Sequence, residues 1–328
     1  VNTPKNYRWR KFVDQFMRGS AVVATGCAVI PLIAIIGYVL TLGASALSVQ
    51  FFTDIYQPPN MAQAATDGSE PAFDPNDPFA GIGATQDGAV VGDGSNPEAN
   101  VYAGGPVGGV LHGIVGTLII TGLGLLLALP IGIFAGIYLS EYRNERYATI
   151  VRFCCDVLSG SPSIVAGVVI YVLVVIQSQQ FSAFAGSLAL MILMIPIVTR
   201  TTEEMLKLVP ESMREAARGL GAPTWYSTFT VIIPAALPGI VTGVMLAFAR
   251  GAGETAPLIL TVLGSNVMST DLFAPMASLP LLTYRYTESP YPGENTLAWG
   301  AAFVLMMLVL VMNILVRVAT RRRAGASR

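Results

Sequence analysis

The chain has 328 residues, of which 53% are hydrophobic and only 12% charged, with a formal net charge of −1. A soluble domain carries roughly twice that charged share, so the composition excludes a soluble globular fold. The charges are clustered, and the uncharged stretches between them suit membrane helices, which need about 20 apolar residues each.

Residues 1–18 are basic, with Lys5, Arg8, Arg10, Lys11 and Arg18, and a first span is expected at about 21–43, its helix running on toward Phe51. The basic start and the Ala-Ser-Ala-Leu-Ser stretch at 44–48 have the look of a signal peptide. The uncharged run from Gly19 to Thr53 is much longer than an h-region of about 7–15 residues, so an uncleaved span is expected. Residues 54–109 hold eight acids and no Lys or Arg, with abundant Gly, Pro and Asn. They read as a solvated loop, and their aspartates do not follow the calcium-loop spacing.

Span 2 is expected at about 111–139, kinked by Pro130, followed by a short charged loop from Glu141 to Arg152. Span 3, at about 157–176, opens on Ser159-Gly160-Ser161-Pro162-Ser163, the signature of a broken or wide-turn helix start. The QSQQ at 177–180 is a tight turn and span 4 follows at about 182–199. A long charged loop runs from Arg200 to Thr230. Span 5 starts at about 231 and continues through Arg250 and Glu254 toward Val262. Residues 264–295 are polar and carry four prolines, span 6 lies at about 296–316, and Arg321-Arg322-Arg323 marks the tail.

With both ends and the charged loops after spans 2 and 4 in the cytoplasm, all nineteen Lys and Arg except Arg250 and Arg285 fall inside. That asymmetry predicts six spans with both termini cytoplasmic in the cell membrane, and the acidic loop outside. The expected segments are residues 1–52 (N-terminus and first helix), 53–110 (outer loop), 111–318 (five-helix core) and 319–328 (basic tail).

Two stretches carry candidate function. After Pro210, residues 211–220 favour helix, and Gly221 and Pro223 break it. Ala216 and Ala217 are small enough for close approach, with Arg214, Glu215 and Arg218 offering polar contacts around them. On physical grounds a mere linker between spans 4 and 5 stands equal to a docking helix. The spacing is more specific: Glu215-Ala216-Ala217, three residues, Gly221, nine residues, then Val231-Ile232-Ile233-Pro234. It resembles the EAA motif of ABC importer permeases, with Val231 for Ile and Ile233 for Leu. The resemblance, spanning about 111–318, implies an all-α polytopic protein with six transmembrane helices and the type I, MetI-like permease fold. It also implies that Glu215, Ala216, Ala217, Gly221 and Pro234 belong to a coupling helix docked on a cytoplasmic ATPase. That ATPase is a separate chain: Lys5, Lys11 and Lys207 are the only lysines and none follows a glycine, as a phosphate-cradling Walker A requires. ATP and Mg are therefore expected on the partner, with no cofactor, catalytic residue or metal in this chain. The single histidine, His112, is expected to pack at the mouth of span 2.

The second stretch is Arg250-Gly251-Ala252-Gly253-Glu254-Thr255-Ala256-Pro257. A spacing of four puts Arg250 and Glu254 on one helix face, deep in a span, where ionisable groups face a cavity or another helix. A packing ion pair and an anion site are both open readings. Arginine's planar donor fork suits phosphate oxygens, and the glycines would let backbone approach a ligand. GAGETAP, with LSGSPSIVAG at 158–167 and IYLSEY at 137–142, resembles the phosphate-specific ABC importer Pst, and the continuation Ala256-Pro257-Leu258 resembles its PstA type rather than its PstC type. The resemblance implies a substrate path through Arg250, Gly253, Glu254 and Thr255. It also implies a PstC-like second permease, two PstB-like ATPase subunits and an extracytoplasmic PstS-like phosphate-binding protein. Competing readings are a permease for phosphonate, sulfate or molybdate, a secondary transporter or channel, and a phosphate-sensing scaffold.

Overall fold

The computed structural model describes residues 7–56, 108–142, 145–289 and 292–325, and no strand occurs among them. Most of the acidic segment at 54–109 lies outside the described residues. In chain order the helices are α1 (Tyr7–Ser45), α2 (Val49–Thr53), α3 (Leu111–Glu141) and α4 (Arg146–Gly160). Then come α5 (Ser163–Ser178), α6 (Ala183–Lys207), α7 (Glu211–Gly219) and α8 (Thr224–Ala252). The last are α9 (Ala256–Thr261), α10 (Leu279–Thr287) and α11 (Pro292–Gly325). Helices α1, α3, α6, α8 and α11 are each long and apolar enough to cross a membrane, and α4 with α5, bent by 100° at their junction, makes a sixth, broken span.

Between lipid-soluble helices, close packing of small residues replaces the hydrophobic drive available in water. The α3–α6 pair shows this. A Cβ on Gly124 would sit 2.9 Å from the Ser187 carbonyl oxygen, one on Gly132 would sit 2.7 Å from Val198 Cβ, and one on Gly136 would sit 2.6 Å from Thr202 Cβ. Only hydrogen at these positions lets the two backbones meet. Ser187 Oγ completes the seam by donating to the Ile120 carbonyl at 3.0 Å. The main core forms around it, with Ile120, Ala128, Leu190, Met194, Val198 and Phe248 buried together.

The structure corrects three boundaries. Arg146 opens helix α4 rather than continuing a charged loop to Arg152, and the third span proper begins only at Ser163, after the break at Ser161-Pro162. At about 1.5 Å per residue α5 is about 24 Å long. Helix α8 begins at Thr224 instead of 231, through a π-helical turn at Thr228–Ile232. Pro234 lies just past it and has no N–H to donate, so the preceding turn widens where the regular bond is lost. Lastly, the polar stretch 264–295 contains α10, whose Leu279, Leu281, Leu282 and Tyr286 are buried. Pro280 sits in its first turn, where the missing N–H costs nothing.

Candidate functional site

Span 5 does not continue to Val262 as one helix. Helix α8 ends at Ala252 with Gly253 as its cap, and α9 begins at Ala256. The Gly253 N–H donates to the Arg250 carbonyl and the Glu254 N–H to the Gly251 carbonyl, each at 3.2 Å, a tight turn that closes the helix. Arg250 and Glu254 therefore do not share an unbroken helix face. The turn still brings them together, with Arg250 Nε 3.6 Å from Glu254 Oε1. The partners differ in access: the Arg250 side chain is 54% exposed and that of Glu254 only 16%.

The break is held from several sides. A Cβ on Gly167 would lie 2.7 Å from Pro257 Cα, so the backbones of α5 and α9 are in direct contact. This gives the LSGSPSIVAG stretch a structural meaning that sequence reasoning did not assign. The Ser182 N–H donates to the Thr261 carbonyl at 3.1 Å, tying α9 to the start of α6. Gly251 faces the methyl end of Met194 with no room for a side chain. Gly253 and Thr255 line a cleft of about 660 Å³ together with Thr283, Tyr284, Glu288 and Met306. Arg250 and Glu254 do not line that cleft. At its rim, the hydrogen bond to Glu288 and the charge behind it raise the Tyr284 hydroxyl above its ordinary pKa.

At the opposite end of α8 lies the segment with the EAA spacing. Glu215 and Ala216 are exposed on α7, while Ala217 is buried. Gly221 has φ +81°, the left-handed conformation that ends helices, and a Cβ there would meet nothing within 4 Å. The Gly221 N–H donates to the Arg218 carbonyl at 2.9 Å and the Ala222 N–H to the Ala217 carbonyl at 3.1 Å, satisfying carbonyls left open by the last turn. Pro234 is exposed in the first turn of the regular part of α8. Leu220, Trp225 and Tyr226 are exposed apolar side chains beside this cap.

One expectation fails at this end. Arg214 is not a surface contact around the alanines: its side chain is 4% exposed and ion-paired with Glu141 at the end of α3. Its Nη2 also donates to the Leu206 carbonyl of α6 at 2.9 Å. Sequence reasoning missed a second cluster nearby. Glu203 is buried and accepts from Arg152 Nε at 2.8 Å, Arg200 Nη1 at 3.3 Å and Lys207 Nζ. Arg200 also pairs with Asp156, and Arg152 Nη2 donates to the Leu139 carbonyl at 2.9 Å. These contacts join α4 to the ends of α3 and α6. His112 is buried at 2% exposure.

Comparison with known proteins places this architecture. Residues 128–325 match the family described as binding-protein-dependent transport system inner membrane component. The chain is 37% identical over 320 residues to the phosphate transport system permease protein PstA of Haemophilus influenzae, covering 97% of this chain and 98% of that one. It is 45% identical over 212 residues to the protein of the same name from Yersinia pestis, covering 64% of this chain and 72% of that one. It is 44% identical over 222 residues to PstA 1 of Mycobacterium tuberculosis, covering 66% of this chain and 72% of that one. Among solved structures, an inward-facing form of the MetNI methionine ABC transporter superposes with a TM-score of 0.51 at 20% identity, over 67% of this chain and 96% of that one, a likeness of fold. An all-helical multi-pass chain with a broken fifth span and a capped EAA helix thus has both its fold and its sequence relatives in one place: it belongs to the binding-protein-dependent transport system inner membrane components, among the PstA permeases.

Proposed function

We propose that this chain is the permease subunit through which an ATP-driven importer moves inorganic phosphate across the cell membrane. The observation that carries the reading is the Arg250–Glu254 pair at the helix break, with an exposed arginine beside a more buried carboxylate. The half-exposed guanidinium offers transient charge compensation to an anion, weak enough to permit release. Phosphate near neutral pH still carries a proton and donates a hydrogen bond to the Glu254 carboxylate. Sulfate carries none and is repelled. Gly253 and Thr255 lie on the cleft side of the same turn and complete the path.

The distribution of Lys and Arg supports cytoplasmic termini and a cytoplasmic α7. There α7 docks, through Glu215, Ala216 and Ala217, on one of two PstB-like ATPase subunits that bind ATP and Mg. A PstC-like permease completes the path, and a PstS-like protein delivers phosphate from outside. The test is uptake of radiolabelled phosphate into proteoliposomes holding the assembled transporter, with ATP inside and competing sulfate, phosphonate or molybdate. ATP-dependent uptake that phosphate alone competes away is expected. Uptake competed equally by another oxyanion assigns that oxyanion instead. Glu254→Gln is expected to narrow the preference for phosphate over sulfate, and unchanged selectivity in that variant refutes the role given to the carboxylate.

A further inference from the structure

We propose that Arg214 is the strut through which displacement of α7 reaches the ends of α3 and α6, a second route beside the covalent one into α8. The inference rests on the reading of α7 as the ATPase contact. Helix α7 is short and mostly exposed, and only Arg214 and Ala217 are buried in it. Its covalent route onward, through Gly221, leads to α8 and the Arg250 end. The Arg214 side chain leads elsewhere. One end of its fork is paired with Glu141, itself only 11% exposed, on the last residue of α3. The other holds the Leu206 carbonyl near the end of α6 at 2.9 Å. Glu211, on α7 itself, approaches Nε only to 3.8 Å and is mostly exposed, so it does not compete for the fork.

Two features suit these contacts to carrying force. Arg214 is buried and Glu141 half-buried, in the wall of an open polar cleft they share with Glu145, Glu211 and Arg218, so parting the pair leaves the guanidinium only the looser contact with Glu211 at 3.8 Å. The guanidinium is planar and makes its two contacts in fixed directions, whereas a lysine would keep the charge and lose the second contact. The receiving helices are themselves interlocked by Gly124, Gly132 and Gly136, so what reaches their ends moves both.

The test uses the complete transporter in proteoliposomes and reads phosphate taken up per ATP hydrolysed, a ratio that simple loss of folded protein does not change. Arg214→Lys and Glu141→Gln are each expected to lower it by about fivefold or more while hydrolysis continues. The exchange Arg214→Glu with Glu141→Arg is expected to recover part of it. As a second route, Arg214→Cys with Glu141→Cys, in a chain whose three native cysteines are replaced, is expected to regain coupling when a short bis-maleimide joins the pair. An unchanged ratio in the assembled single variants overturns the strut alone. So does a lowered ratio that neither the charge exchange nor the covalent link restores. An unaltered transporter that takes up no phosphate overturns the transport reading, and the strut with it.

Discussion

Two glycines that look alike in the sequence do different work. Gly221 has a positive φ and open space around it, so any L side chain there is opposed by its own backbone, by roughly 1–2 kcal/mol. Gly221→Ala is expected to weaken the end of α7 and lower uptake, and Gly221→Asn, which tolerates the left-handed region better, to recover part of it. Gly167 sits in a regular helix where alanine is intrinsically favoured, yet its missing Cβ leaves room for Pro257. Gly167→Ala is expected to push α5 and α9 apart at a cost of about 1–3 kcal/mol, raising the phosphate KM more than it lowers kcat. Gly122→Ala, where nothing lies within 4 Å, is the matched control and should transport normally. The sequence announced Gly221 through its fixed distance from Glu215. Gly167 was visible only as part of a familiar run of residues, because the atom it accommodates is ninety residues away.

Among the elements, the long spans were legible because their apolar runs exceed any soluble helix. The break at Ser161-Pro162 was legible as well, in the run from Ser159 to Ser163; the rest was not. Helix α4 carries Arg146 and Arg152, so its first half read as a charged loop, although Arg152 and, beyond it, Asp156 turn toward partners on the end of α6. Helix α10 was hidden by Pro275 and Pro280, the second of which opens the helix rather than preventing it. The Arg214 and Glu203 clusters were illegible for a related reason: their partners lie on other helices, and no spacing along the chain records that. Glu203 gathers three cations around one buried carboxylate. Glu203→Gln is expected to destabilise the protein toward the low side of the about 3–5 kcal/mol seen when a buried pair loses one member, since its cationic partners keep part of their hydration. Thermal unfolding in detergent measures the loss, and faster proteolysis within α4 would show where it is felt.

For the molecule as a whole, the two ends of α6 define opposite faces. Its first turn is bound to the segment near Phe273, where the Ala183 and Phe184 N–H groups donate to the Ala274 and Leu272 carbonyls at 3.1 and 2.8 Å. Its last turn lies beside α7. Trp225 and Phe273 are both exposed, which makes them reporters of orientation. With the native cysteines replaced, Phe273→Cys is expected to react with a membrane-impermeant maleimide on intact cells, and Trp225→Cys only after permeabilisation. The reverse pattern would invert the topology. Composition alone predicted a many-spanning helical protein, and the basic residues predicted its direction; the break after Ala252 depends on the packing of α9 against Gly167, which no spacing along the chain records.

The glycine seam between α3 and α6 also restricts which movements remain open. Its three contacts are spaced unevenly along α3, at residues 124, 132 and 136. Shifting one helix along the other by a turn, about 5.4 Å, would carry Val198 in one direction, or Leu190 in the other, off its glycine and onto Ala128, where a methyl group fills the recess. The seam therefore behaves like a keyed shaft, which can tilt as a unit but has no free axial travel. Distances measured between labels on α3 and α6 should stay constant through the working cycle.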